Sequence, residues 1–324
     1  MKIPSALFAR LQPVIALVLM VALLSFTADK FLTVDNLLNV LRQISINLCL
    51  SIGMTLVILS GGIDLSVGSV LALCGAVAAG LLRNGVALSR WNMLMQFTVS
   101  GAILSAVLLG LALGWCNGMA VTRFRLPPFV ATLGMLSIAR GLTMLWTGGF
   151  PITGLGPRFG FMGTGHLAGI PMPVWISALL TGIFYVTARR TVFGRYVYAV
   201  GDNERAVALS GLDVNRIKLW VYVLAGGLAG VAGLLVTARL DSATPTAGLS
   251  YELDSIAAVV IGGTSLSGGR GSVLGTALGC LIIGVLNNGL VLLEVSPFWQ
   301  QVIKGLVILV AVAIDKASRK DGER

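Results

Sequence analysis

Long apolar runs, separated by short polar stretches, cover most of this chain and limit what it can fold into. A helix that spans a bilayer needs about 20 mostly apolar residues. Only 11% of the 324 residues are charged, against roughly 25% in a soluble domain. The sequence therefore predicts an all-α polytopic membrane protein, with about ten transmembrane helices in one domain over residues 1–324. The runs cover about residues 11–27, 37–60, 67–82, 93–121, 129–147, 173–188, 217–238, 253–267, 272–292 and 298–314.

Several of these runs are short or interrupted by glycine. Irregular backbone at membrane depth is tolerated only where protein or a water-filled cavity covers it. Broken helices of this kind are typical of transport pathways. The runs therefore favour a transporter that contains short or broken helices.

The lysines and arginines predict the orientation. With the N-terminus inside and ten crossings, 15 of them lie in inside loops and 6 in outside loops. Cytoplasmic loops carry an excess of Lys and Arg. Both termini are therefore expected in the cytoplasm. The net charge of +10 follows from the same rule, and no aromatic-interleaved basic face indicates nucleic acid.

The longest inside connection covers residues 189–218 and mixes positive and negative charges. Within it, residues 206–209 form a short apolar stretch that predicts a small helix. One interpretation is a surface helix that only links two spans. The other is a docking element for a cytoplasmic partner.

A glycine-rich string at residues 61–69 places Asp64 and Ser66 between two apolar runs. Ionisable groups at membrane depth are expensive and are functional candidates. Asp64 could also cap the next helix with help from Ser66, and this pattern favours capping over direct substrate contact, with both left open. A related string at residues 262–271 shares the Gly-Gly and Leu-Ser pattern, which suggests an internal repeat.

Six polar or charged side chains lie within or beside apolar runs. A sugar would need such donors and acceptors along a pore, but polar side chains also join helices within membranes. The sequence alone does not divide these roles. They are Asn47, Arg140, Asp254, Asn287, Asn288 and Lys304.

Catalytic and metal signatures are absent from the sequence. The single histidine, His166, and the four separate cysteines form no nucleophile or metal-ligand pattern. No Gly-Lys-Ser/Thr sequence exists, so the chain has no Walker A loop of its own. We therefore expect no enzyme activity, no metal and no cofactor, with any ATP bound by a partner chain.

Four stretches together resemble one family. Residues 57–69, 127–141, 193–211 and 253–264 are similar to bacterial ABC-transporter permeases for monosaccharides, the group for ribose, xylose, arabinose and galactose. Residues 243–254 and 286–290 are most similar to the permeases for ribose. The resemblance covers nearly the whole chain. One departure is Asp202, where the family usually has glycine.

The resemblance implies a mechanism and its partners. Two permease copies, expected as a homodimer in membrane lipid, form a pore. Two cytoplasmic ATPase subunits dock on the loop at 189–218, and an extracellular binding protein delivers the sugar for alternating access. ATPase coupling falls on Gly201, Asp202, Asn203, Glu204, Arg205, Ala206 and Gly211. The substrate pathway falls on Asn47, Asp64, Ser66, Asn287 and Asn288.

Two other classes remain compatible with the residues. A secondary transporter driven by an ion gradient would also show broken helices and intramembrane charge. A membrane assembly protein would suit the mixed-charge loop but not the paired glycine-rich strings. Within the importer interpretation, another pentose, a hexose or a sugar-like signalling molecule could replace ribose.

Overall fold

A computed structural model describes residues 5–88 and 93–320. Thirteen α-helices lie within these residues and account for most of them. In chain order they are α1 Ser5–Thr27, α2 Val34–Leu59, α3 Val67–Arg83, α4 Val99–Thr122, α5 Pro128–Thr147, α6 Pro157–Thr164, α7 Met172–Arg190, α8 Val192–Asp202, α9 Glu204–Leu209, α10 Val214–Leu240, α11 Tyr251–Ile261, α12 Val273–Leu292 and α13 Pro297–Lys320.

Strands within residues 5–88 and 93–320 are confined to three short antiparallel pairs. Val86–Leu88 (β1) pairs with Met93–Met95 (β2), Ile152–Thr153 (β3) with Ser242–Ala243 (β6), and His166–Leu167 (β4) with Ile170–Pro171 (β5). The first pair corrects one prediction, because residues 93–95 of the run at 93–121 form a strand and α4 begins only at Val99.

The helix at the centre of the bundle is α10. Of its most apolar stretch, 78% is buried, against 17% for α5. Small residues permit this, since Gly226 and Gly230 lie one turn apart and face α4. A side chain on Gly226 would overlap the backbone of Gly110, and a Cβ on Gly230 would lie 3.0 Å from the Ala106 carbonyl oxygen. Such small residues let membrane helices approach closely.

Six helices within the described residues are long and apolar enough to cross a membrane. They are α2, α4, α5, α7, α10 and α12. The all-α membrane architecture is therefore confirmed, while the count of ten spans and the side of the termini stay predictions. Residues 1–4 and 321–324 lie outside the described residues.

The run at 253–267 is not one helix. Helix α11 ends at Ile261 and has 11 residues, a length of about 16 Å, roughly half of a hydrocarbon core about 30 Å thick. It ends because Gly263 adopts a φ of +86° and the Thr264 amide turns back to the Val259 carbonyl. The glycines thus make a half-length helix in the interior.

The connection at 189–218 is helical rather than an open loop. Helix α8 follows α7 after Thr191, and Asn203 separates α8 from α9. The small helix predicted at 206–209 is α9, which begins two residues earlier, at Glu204. We refer to the end of the bundle at which α8 and α9 lie as the α8 end.

Candidate functional site

A polar cavity of about 290 Å³ lies among α2, α10, α11, α12 and α13. Ligand pockets usually measure about 300–1,000 Å³, so this one suits a small ligand. Side-chain amides supply both donors and acceptors, which is the chemistry that a neutral polyhydroxylated molecule requires. The polar side chains on its wall include Gln43, Asn47, Asp254, Asn287, Gln300 and Lys304.

An ion pair crosses this cavity wall between two helices. Nζ of Lys304 on α13 lies 3.0 Å from Oδ2 of Asp254 on α11, and the two side chains are 25% and 11% exposed. Asp254 also lies in the first turn of α11, where the helix dipole favours a negative charge. Each charge is thereby paired with an opposite one, which offsets the free-energy cost of removing it from water.

Arg140 fixes the chain segment that leads into α11. Its Nη1 donates to the carbonyl oxygens of Pro245 and Ala247, at 2.7 and 2.8 Å. Next along the chain, Gly248 adopts a φ of +70° and packs against Gly68 at the start of α3. The guanidinium from α5 thus positions the first turn of α11, which carries Asp254, beside the start of α3.

Two of the asparagines predicted for the substrate pathway line the cavity. Oδ1 of Asn47 accepts a hydrogen bond from the Ser255 hydroxyl at 3.2 Å. Oδ1 of Asn287 is buried and has no hydrogen-bond partner within the described part of the chain, so it is free to accept one from a ligand.

Asn288, the next residue, joins two helices and does not line the cavity. Its amide exchanges two hydrogen bonds with the amide of Asn36 on α2, at 3.0 and 2.8 Å. This reciprocal pair joins α12 to α2 away from the cavity wall. The structure therefore separates a cavity residue from a helix-joining residue at adjacent positions.

Asp64 and Ser66 are also absent from the cavity wall. Oδ1 of Asp64 accepts from the amide and the hydroxyl of Ser66, at 2.8 and 2.6 Å. Asn117 on α4 donates to the Ser66 hydroxyl at 2.9 Å, and all three side chains are buried. The network fixes the segment that leads into α3 and attaches it to α4. No side-chain cap hydrogen bond forms at the start of α3 within the described residues, so the capping role of Asp64 stays a prediction.

A backbone contact at the α8 end brings three segments together. A side chain on Gly201 of α8 would overlap the carbonyl oxygen of Leu59, the last residue of α2. That same carbonyl accepts from the Gly269 amide at 3.0 Å, and a Cβ on Gly268 would lie 3.1 Å from the Gly61 amide nitrogen. We call this contact of α8 with both glycine-rich strings the glycine junction.

Tyr198 adds a side-chain bond to the junction that sequence patterns did not reveal. Its hydroxyl donates to the Gly271 carbonyl at 3.0 Å. Partial burial raises the pKa of Tyr198, with Arg189 acting in the opposite direction. The phenol therefore remains a donor at neutral pH.

The residues predicted to couple to an ATPase occupy two different environments. Gly201 lies inside the glycine junction. Residues 202–206 and Gly211 are exposed. Asn203 caps α9 by accepting from the Ala206 amide at 3.0 Å, while Glu204 pairs with Lys218 at 2.7 Å. Leu209 is 89% exposed, so α9 presents an apolar side chain among charged ones.

Comparison with known proteins identifies the family. Residues 36–312 match the family described as branched-chain amino acid transport system / permease component. The chain belongs to this permease family. The permease is therefore a multi-pass protein of the inner membrane, a placement that its six long apolar helices support.

Relatives of the permease align over nearly its whole length. It is 49% identical to the ribose import permease protein RbsC of Bacillus subtilis, over 95% of this chain and 92% of that protein. It is 48% identical to RbsC of Haemophilus influenzae, over 93% and 91%. Identity to the D-allose transport system permease protein AlsC of Escherichia coli is 38%, over 91% and 88%. No solved structure is significantly similar to this chain.

Proposed function

We propose that this permease is the transmembrane subunit of an ATP-driven importer that moves ribose into the cytoplasm. The substrate assignment rests on similarity to proteins named ribose import permease, which are 48–49% identical over more than nine tenths of the chain. The small polar cavity supports it, because its amides offer paired donors and acceptors for hydroxyl groups.

We infer the partners from the missing Walker A loop and from the exposed residues at the α8 end. Without a Walker A loop of its own, the permease depends on a separate ATPase subunit, which docks on residues 202–206 and α9. A soluble sugar-binding protein delivers the substrate at the opposite end. The largely exposed apolar helices α5 and α7 suit lipid and a second copy of the chain.

Uptake of labelled ribose tests the substrate. We expect a cell that lacks the gene to regain uptake with the wild-type chain, and excess unlabelled ribose to compete better than allose or xylose. Stronger competition by allose would move the assignment to that sugar, to which a relative at 38% identity points.

Adjacent asparagines provide a matched pair of variants for the cavity. Asn287→Ala removes a cavity amide and should raise the KM for uptake with little change in thermal stability. Asn288→Ala should lower thermal stability and change KM less. Equal KM effects would contradict passage of the sugar through this cavity.

Co-purification tests the energy source. The tagged permease, gently extracted, should bring down an ATPase subunit in near-equal amount. Glu204→Lys should weaken this capture, because it reverses a charge on the exposed docking surface. Recovery of the permease alone, with sugar uptake driven by an ion gradient in vesicles, would replace the importer with a secondary transporter.

A further inference from the structure

Two arginines at the end of the bundle opposite the α8 end have a large surplus of hydrogen-bond donors. Arg42 is on α2, 17 positions before Leu59, which places it about 25 Å from the glycine junction. Arg239 is near the end of α10 and lines the polar cavity. Its Nη2 donates to Asn39 at 3.1 Å. Asn39 and Arg42 are three positions apart on α2 and therefore share a face.

Within the described residues, the one hydrogen bond of Arg42 goes to a histidine, which brings no negative charge. Its Nη2 lies 2.7 Å from Nε2 of His166. Because a guanidinium only donates, this nitrogen of the imidazole accepts and carries no proton. Nε of Arg42 is buried and has no hydrogen-bond partner among the residues that the structure describes. His166 itself is exposed, so the cluster can be reached from solvent.

Neither guanidinium is neutralised within the described part of the chain. The two ion pairs found there are Lys218–Glu204 and Lys304–Asp254. Each guanidinium has five donors, and one donor of each is used. Arg140 provides a contrast. Its Nη1 donates to two backbone carbonyls, which gives this arginine a positioning role.

We infer that Arg42 and Arg239, with Asn39 and His166, form an oxyanion-binding site at this end of the cavity. A carboxylate or phosphate presents the oxygen pair that a guanidinium fork binds in a bidentate manner. It would also offset two neighbouring positive charges, which a neutral sugar cannot do. The oxyanion is either free in solution or a carboxylate of a docking protein, and both share this chemistry.

Thermal unfolding of the purified full-length permease tests the site directly. At pH 7.5 and constant ionic strength, sodium phosphate and sodium acetate should raise the melting temperature in a saturable way relative to sodium chloride. Arg42→Gln and Arg239→Gln should raise the half-saturating concentration of phosphate by roughly tenfold or more.

Two further variants separate a lost site from a damaged fold. Arg42→Lys keeps the charge without the fork and should bind with intermediate strength. Arg158→Gln removes an exposed arginine from α6, the helix that packs against the end of α10, and should leave the phosphate effect unchanged. An equal phosphate effect in wild type and Arg42→Gln, or none in wild type, overturns the site.

A capture experiment distinguishes the two sources of the oxyanion and depends on the importer proposed above. If a docking protein supplies it, Arg42→Gln should capture less of the sugar-binding partner and phosphate should compete in wild type. If it is free in solution, both proteins should capture the partner equally while phosphate still stabilises only wild type. Absence of any partner on wild type would count against the importer and not against the site.

Discussion

Substitution of Gly201 by alanine should destabilise the permease more than its small size suggests. The new methyl group would overlap the Leu59 carbonyl oxygen and would lie 2.5 Å from the Gly269 amide nitrogen. These are backbone atoms, which cannot rotate away as a flexible side chain would. Because the methyl group would crowd both the donor and the acceptor of this bond, α8 must move outward and the Gly269-to-Leu59 hydrogen bond must open.

The expected magnitude follows from these two costs. Overpacking a filled site typically costs about 1–3 kcal/mol, and a lost intramolecular hydrogen bond about 1 kcal/mol. Together they predict a loss of about 2–4 kcal/mol. At about 2 °C per kcal/mol for a large domain, the melting temperature should fall by roughly 4–8 °C.

The control is an alanine at a helical glycine with free space. A Cβ on Gly182 in α7 would have no neighbour within 4 Å among the described residues. Gly182→Ala should therefore be neutral or slightly stabilising, since alanine favours helices over glycine by about 0.5–1 kcal/mol. Differential scanning fluorimetry of both purified variants measures the difference. Equal melting temperatures for Gly201→Ala and Gly182→Ala would refute the tight junction.

Three further substitutions address the polar contacts within the bundle. Lys304→Met should cost about 3 kcal/mol by leaving a carboxylate unpaired, and the double variant with Asp254→Asn should recover part of this loss in thermal unfolding. Asn288→Leu should cost about 1–3 kcal/mol by leaving Oδ1 of Asn36 without a donor, while Nδ2 of Asn36 keeps its bond to the Phe31 carbonyl. Replacing both asparagines by leucine should cost less, and equal losses would contradict a reciprocal pair. Ser66→Ala should cost a similar amount, since it removes both the donor to the Asp64 carboxylate and the acceptor for the Asn117 amide, and an unchanged melting temperature would contradict a stabilising role of this network.

Hydropathy predicted the helices well because the bilayer interior favours apolar side chains, and apolar character is what hydropathy measures. Each of the ten apolar runs contains one helix of the structure. The errors include the ends at 93–95 and 262–267, where pairing with another strand or a positive φ at Gly263 decides the outcome. They also include α6 and α8, which lie outside the ten runs. An apolar strand and an apolar helix of a few residues look alike in a hydropathy profile.

The candidate site was harder to predict, because its members are distant in sequence. Asn287 and Asn288 carry the same amide, yet a rotation of about 100° between successive helical residues sends one to the cavity and the other to Asn36. Intramembrane charge marked Asp254 and Lys304 as costly, but no local pattern shows that they meet across 50 positions.

In three dimensions, the two glycine-rich strings contact each other and α8. Each follows a helix and precedes another, and the hydroxyls of Thr55 and Thr276 meet 2.7 Å apart close to where the strings touch. Since α8 contacts Leu59 and Gly269 at once, a displacement of α8 must act on α2 and on the start of α12 together. Side chains on these strings would keep α8 away, so glycine at these positions is what permits the close contact among the three segments.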